Sequence, residues 1–344
     1  MAYLASSEDI LDFLNDEDIS SNRRTYGNPI TNKLACVFLQ LLRRIKKELE
    51  LLLKANHENI VRVFGWSVWA NSMGLIMEYM SAGNLRRLLI DVDVVLHVNL
   101  RLRMSSEIAN GISFLHDLSE KHRLVHGDLK PDNILLTRDL NCKIADFGGA
   151  KMVKYTRSTM THTEVTQGQM TRAYAAPERL FTKRKPSAKK EQDTYSYGII
   201  LHGILSRELP TEQFSSEAKY LEAVKEGERP DMEIIDTLKE DHSSHEDDLA
   251  IIDCLVSVMT RCWQQNPDGR PNMIVIRDEL SDLLNQQSPE AIQRSVAAAL
   301  KNMELFLPSE RSQNTILLRQ FNPSTGTFNK SKNEILIDQN ICSI

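Results

Sequence analysis

His126-Gly127-Asp128-Leu129-Lys130-Pro131-Asp132-Asn133 and, a little further on, Asp146-Phe147-Gly148 are the stretches that decide the reading of this chain. They bring Asp128, Lys130, Asn133 and Asp146 into one short window. Carboxylate and amide side chains offer hard oxygen donors, the kind that Mg²⁺ takes. Taken singly, each residue has a plainer reading, because an Asp or Asn beside Pro131 is ordinary turn chemistry. Taken together and in this order, chance is a poor explanation.

Outward from that window, the bulk properties narrow the field. A length of 344 residues allows a large core, or two lobes with tails. Contents of 41% hydrophobic and 26% charged residues are ordinary for a soluble globular protein. The net charge of -5 gives no reason to expect nucleic acid or a membrane surface as partner. Cys36, Cys142, Cys254, Cys262 and Cys342 are odd in number and scattered, without a CxxC pair, so no zinc site or disulfide framework is expected. Met1 to Asp16 is acidic and lacks the basic start of a secretory signal. No apolar run approaches the roughly 18 residues of a membrane span. A reducing, cytoplasmic setting is the expectation.

The pattern along the chain predicts a polar leader over 1–24. A helix is expected from Cys36 to Asn56, where Val37, Phe38, Leu41, Leu42, Ile45, Leu49, Leu52 and Leu53 fall on one side. Ile60 to Trp69 and Gly74 to Tyr79 read as strands around the turn-like Ala70-Asn71-Ser72. Leu100 to Leu118 carries Leu100, Met104, Ile108, Ile112 and Leu115 at helical spacing. Short strands are expected near Leu135 and Ile144, a Thr-rich mobile stretch over Ser158 to Gln169, and helices over Thr194 to Ser206 and Leu249 to Gln264. Glu240 to Asp248 reads as an acidic exposed loop. Pro289 to Leu305 is expected as one helix, and Pro308 to Ile344 as a polar tail. A few strands followed by many helices suits an α+β chain with a small β-containing lobe and a larger helical one.

Two Asp, one Lys and one Asn at this order and spacing are what phosphoryl transfer from Mg-ATP requires. The window resembles the catalytic loop and magnesium loop of protein kinases. The resemblance implies a bilobal kinase-like fold with a truncated N-lobe. Its divisions are a leader over 1–24, a reduced N-lobe over 25–80, a C-lobe over 81–287, and a C-terminal helix and tail over 288–344. It implies that Asp128 accepts or orients the attacking hydroxyl's proton and that Lys130 balances charge on the γ-phosphate. Asn133 and Asp146 would hold magnesium. Met77, Glu78 and Met80 resemble the gatekeeper and hinge that meet adenine, although an ordinary buried strand end is the bland alternative. Glu48 falls where the family places the Glu of its N-lobe helix, although a solvated helix charge suits it as well. Val63, Leu52, His126 and Phe147 fall where the family stacks an apolar column, for which a core role is the plainer reading. Ala176-Pro177-Glu178, Arg270 and the Asp193-Thr194-Tyr195-Ser196-Tyr197-Gly198 run resemble fold-keeping motifs. They imply a Glu178–Arg270 ion pair and an Asp193 that caps its helix and holds the catalytic loop. Lys130 with Thr171 implies Ser/Thr acceptors. The helix at Arg101–His116, Lys185-Pro186-Ser187-Ala188 and Gly227-Glu228-Arg229-Pro230-Asp231 resemble the tyrosine-kinase-like group, and receptor-interacting kinases above all. ATP and Mg²⁺ are the implied cofactors, protein substrates the implied partners, and the tail a possible contact for signalling partners.

The chain also departs from that family. Gly127 stands where an Arg normally grips a phosphorylated activation loop. Thr156, Ser158, Thr159, Thr161, Thr163 and Thr166 are candidate phosphorylation sites or merely a flexible polar loop. Before Gly65 there is one glycine, Gly27, where a phosphate-covering loop needs several. Val37 follows Leu34-Ala35-Cys36 where the family has its strand Lys. Two functions therefore stand side by side: an active Ser/Thr kinase, and a pseudokinase scaffold or switch.

Overall fold

The computed structural model describes residues 56–69, 72–118, 122–146, 151–154, 172–182, 188–303, 315–322, 327–328 and 336–338. The leader over 1–24, the Cys36–Asn56 helix with Glu48 and Leu52, and Phe147, Ser158–Gln169 and Thr171 lie outside these residues, apart from Asn56. Two compact units are present. The smaller includes Arg62–Tyr79 and Ser309–Ile344, and the larger His57–Val61 and Met80–Pro308.

In the smaller unit, β1 (Val63–Trp69) and β2 (Ser72–Glu78) form an antiparallel pair, with a bulge between Val63 and Gly65. Ile60, expected within β1, instead bridges Ile144 in the larger unit. The Arg62 amide donates to Glu78 Oε1 at 2.7 Å, and the Glu78 amide donates to the Arg62 carbonyl at 3.0 Å.

The rest of the sheet comes from the segment expected as a polar tail. β7 (Thr315–Asn322) pairs antiparallel with β2, from Gly74 opposite Gln320 to Glu78 opposite Ile316. It also pairs with β8 (Thr327–Phe328) and β9 (Leu336–Asp338). The run Thr315-Ile316-Leu317-Leu318 has the β-branched and apolar composition of a strand. Its partner lies far away in sequence, which is why pattern alone does not announce it.

The larger unit begins with α1 (Leu85–Ile90), whose N-terminus is capped by Asn84 accepting from the Arg87 amide at 2.9 Å. Next comes α2 (Val98–His116), whose Leu100, Met104, Ile108, Ile112 and Leu115 are fully buried, as their spacing predicts. Four short strands follow. β3 (His122–Val125) pairs with β6 (Lys151–Lys154), and β4 (Ile134–Leu136) with β5 (Cys142–Ile144). The helices after them are α3 (Pro177–Phe181), α4 (Lys190–Ser206), α5 (Glu217–Glu226), α6 (Glu233–Asp241), α7 (Glu246–Cys262), α8 (Met273–Asn285) and α9 (Pro289–Asn302).

α4 is buried from Gln192 to Ser206, and Asp193, Ser196 and His202 are buried there among apolar side chains. Gly198 lets α7 come close: a Cβ there would lie 3.0 Å from Cys262 Cβ and from the Trp263 nitrogen. Buried Arg101 closes the far end of α4. Its Nη1 donates to the Ile204 carbonyl and, at 2.7 Å, to that of Leu205, while Nε donates to Leu96 at 2.8 Å.

Two expectations are corrected here. Asp193 does not cap α4, because the helix begins at Lys190 and Asp193 sits inside its first turn. Glu240–Asp248 is not one loop, because α6 runs to Asp241 and α7 starts at Glu246. Glu246, Asp247 and Asp248 occupy the first turn of α7, where the helix dipole favours negative charge.

Glu107 on α2 accepts the Cys142 amide at 2.6 Å and stands 3.5 Å from Arg103. Both line a polar hollow of about 590 Å³. Burial pushes the Glu107 carboxyl up to about 7, against the pull of Arg103 and the Cys142 amide. A folded value above the ordinary one of 4.5 means the folded state holds the proton more tightly. Stability is therefore greatest below that ordinary value and falls as pH rises to about 7, by up to roughly 3 kcal/mol. Urea midpoints measured from pH 4 to 8 are expected to show this slope in the wild type and to lose it in Glu107→Gln.

Candidate active site

The loop between β3 and β4 carries the candidate residues. Pro131 opens a 3₁₀ turn over Pro131–Asn133, closed by the Asn133 amide donating to the Lys130 carbonyl at 2.9 Å. The turn chemistry set out above is thus present, and it serves to aim side chains. Lys130 Nζ lies 2.9 Å from Asp128 Oδ2. Asn133 Nδ2 donates to the Asp128 carbonyl at 2.8 Å and approaches Oδ2 at 3.4 Å. Asp128 and Lys130 remain partly open to solvent, with side-chain exposures of 21% and 13%, so an incoming group can reach them.

Asp146 enters from the end of β5. The Ala145 amide donates to the Asn133 carbonyl at 2.8 Å, and the Ala145 carbonyl accepts from His126 Nε2 at 3.1 Å. Asp146 has φ of 64°, a left-handed conformation that Asp tolerates better than most residues. Strained backbone of this kind collects at functional sites. The Asn133 side-chain oxygen is buried and accepts no hydrogen bond among the described residues. An oxygen left without a donor suits a hard cation. No three His, Cys, Asp or Glu side chains gather into a metal site among the described residues. Mg²⁺ commonly takes one or two protein oxygens and completes its shell with phosphate and water.

Behind the loop, Asp193 is fully buried and accepts three hydrogen bonds of 2.8 Å, from His116 Nε2, the His126 amide and the Gly127 amide. Burial alone would raise its carboxyl. The His116 hydrogen bond, the attraction of His116 and His126, and the Gly127 amide outweigh it and hold the group below its ordinary value. The expectation that Asp193 holds the loop is met, from within the helix.

Glu178 and Arg270 form a two-pronged pair, with both guanidinium nitrogens 2.9 Å from the carboxylate oxygens. The Arg270 side chain is fully buried, so removing Glu178 would strand its charge at roughly 3–5 kcal/mol. Met77 and Met80 are buried, and the Glu78 side chain caps the Arg62 amide. The helix residue Glu48 lies outside the described residues, as does the proposed column's Phe147.

Two residues around the loop were not singled out by sequence reasoning. His116 lacks a local signal, since it ends a long amphipathic helix. Arg179 directly follows the Ala-Pro-Glu run, and its Nη1 donates to the Gly127 carbonyl. The bare Gly127 was the clue that another group reaches this backbone.

Residues 33–282 match the family model described as protein kinase domain. The chain belongs to the protein kinase family. It is 32% identical over 243 residues to receptor-interacting serine/threonine-protein kinase 2 of Bos taurus, covering 70% of this chain and 43% of that one. It is 28% identical over 264 residues to receptor-interacting serine/threonine-protein kinase 1 of Homo sapiens, covering 74% and 36%. With receptor-interacting serine/threonine-protein kinase 4 of Homo sapiens the identity is 33% over 253 residues, covering 72% and 28%. The chain thus spans less than half the length of these relatives. Kinases of this family use ATP and Mg²⁺ and act on protein substrates, and the α+β kinase fold agrees with the helical larger unit and the few strands. Among the described residues, no helix is long and apolar enough to cross a membrane.

Proposed function

We propose that this chain transfers the γ-phosphate of ATP to Ser/Thr hydroxyls of protein substrates in signalling. The arrangement around Asn133 carries the reading. One face of its amide is tied to Asp128, and its oxygen is left unmet beside the strand that delivers Asp146. Asn133 and Asp146 would hold Mg²⁺, whose charge neutralises the terminal phosphates when bound. Asp128 orients the acceptor hydroxyl and takes its proton. The hydroxyl oxygen bonds to the γ-phosphorus as the bond to the departing ADP oxygen breaks. Lys130, held 2.9 Å from Asp128, moves its positive charge toward the transferring group, which favours the transition state over the ground state. The family resemblance makes Glu48, Met77, Glu78 and Met80 the proposed cofactor contacts.

A second reading, a scaffold or switch with weak catalysis, draws on one glycine before Gly65 and on Val37 in the place of the strand Lys. Without a phosphate cover, much of the preorganised field is lost. Mg-ATP thermal shift and γ-phosphate transfer to a Ser/Thr protein substrate separate the two. The expected result is a Mg-ATP-dependent rise in melting temperature together with transfer. Asp128→Asn lowers transfer by roughly 10²–10⁴-fold while keeping the shift. Asp146→Asn removes both. A wild type that neither binds Mg-ATP nor transfers phosphate supports the scaffold reading.

A further inference from the structure

Gly127 removes a side chain immediately before Asp128 and leaves the backbone there with unusual freedom. Its φ is 74°, a region that glycine enters at little cost. Two groups hold this residue from outside. Asp193 Oδ1 accepts its amide at 2.8 Å, and Arg179 donates to its carbonyl. The Gly127 carbonyl and the Asp128 amide belong to one planar peptide unit. A donor that fixes the carbonyl therefore fixes the plane from which the Asp128 side chain departs. The Asp128 amide itself has a long bond to His126 Nδ1, at 3.3 Å. A guanidinium on the other end of the plane is a charge-assisted donor, about twice as strong as a neutral one.

Arg179 stands on firm support. It follows Glu178 on the short helix α3, and Glu178 is gripped by both terminal nitrogens of Arg270 at 2.9 Å. Arg270 also donates to the carbonyls of Gln264 and Glu191, at 2.8 Å each. So α3 is anchored on one side to the end of α7 and the start of α4, and on the other to the catalytic loop. Arg179 is half-buried. Burial weakens its hold on the proton, and the Asp193 and Asp128 carboxylates near it act the other way. Removing such a cation leaves carboxylates without their counter-charge, which is costly in a buried site.

We infer that Arg179 is a positioning residue for Asp128, reaching from the close of the 172–182 segment to set the peptide plane before the loop aspartate. It does from outside the loop what Gly127 cannot do from within. Any movement of α3 is then transmitted to Asp128 through one side chain. This role rests on the kinase reading proposed above for its catalytic consequence, whereas the restraint on the loop is testable without catalysis.

The experiment uses the full chain with Arg179→Met and Arg179→Lys. It measures kcat and KM for ATP in γ-phosphate transfer, and amide hydrogen exchange from His126 to Lys130. The expected result for Arg179→Met is a kcat lower by roughly 10²-fold, with KM for ATP within about twofold and about tenfold of the loss regained in Arg179→Lys. Exchange at the Gly127 and Asp128 amides rises in Arg179→Met, while α2 and α4 keep their protection. A purely structural Arg179 would lower the melting temperature and leave kcat per folded molecule unchanged, and that outcome overturns the inference. So does loop protection equal to wild type. A wild type that transfers no phosphate defeats the kinase reading, and the exchange comparison then decides the positioning role alone. Should Arg179→Met not fold, Arg179→Lys decides: its single ammonium lacks the guanidinium fork, so an intermediate kcat supports the role and a wild-type kcat with wild-type exchange rejects it.

Discussion

Replacing Asp193 by Ala is expected to destabilise the larger unit by about 3–6 kcal/mol, since three donors lose their acceptor and each stranded buried donor costs roughly 1–3 kcal/mol. The donors are His116 Nε2, the His126 amide and the Gly127 amide, each at 2.8 Å. The loss divides between folding and geometry, because two of these donors belong to the residues leading into Asp128. Urea unfolding gives the stability term, and hydrogen exchange at His126 and Gly127 gives the local one. Asp193→Asn is a finer probe. Its amide keeps one acceptor oxygen but points an N–H group at donors, so it falls between wild type and Ala. The two variants also differ from wild type in acid. The folded Asp193 carboxyl is held below its ordinary value of 3.8, so the unfolded chain takes up the proton first. The stabilisation is present above that ordinary value and is lost as pH falls through the lower, folded one. Removing the carboxylate should flatten the acid limb of the stability curve. A wild-type urea midpoint in Asp193→Ala would refute the account of how the loop is held.

The second large effect is expected from ending the chain after Met303, which deletes β7, β8 and β9. Five residues of β2, Gly74 to Glu78, then lose their cross-strand partners. Among the described residues this leaves β1 and β2 as a two-stranded pair, and an isolated hairpin is marginal in water. Amide protection across Val63–Glu78 is expected to fall to nearly that of an unfolded peptide, while α2, α4 and α7 keep theirs. A freshly exposed β2 edge also invites pairing with other copies, so the shortened chain should associate at concentrations where the full chain does not. Retained protection in β1 and β2 would show that the sheet does not depend on its C-terminal strands.

Much of the larger unit was legible in the sequence, because its signals are local. The apolar rows of α2, the end of α4 at Ser206 and the strands at Ile134–Leu136 and Cys142–Ile144 follow from short-range periodicity and turn residues, whereas α4 starts at Lys190, ahead of the expected Thr194. The loop from His126 to Asn133 was legible for a different reason: its residues in this order resemble the protein kinase catalytic loop. What escaped was settled by distant partners. β7 looks like part of a polar tail until Gly74–Glu78 is laid beside it. Asp193 was read as a cap because caps are what an Asp near a helix start usually provides, yet here three donors from other elements claim the carboxylate. Arg179 directly follows the Ala176-Pro177-Glu178 run but belongs to no motif itself, and its contact is with the distant backbone of Gly127.

The pairing of β2 with β7 has a bearing on how the protein is made. Ribosomes deliver the chain from its N-terminus, at about 5–20 residues per second. Every residue from Met80 to Pro308 is available to collapse before Thr315 emerges from the exit tunnel. The β2 edge of the sheet must therefore wait for its partner until Thr315–Asn322 has been delivered. Nascent molecules stalled before that point would present an adhesive ribbon, and a holding chaperone would find them a natural client.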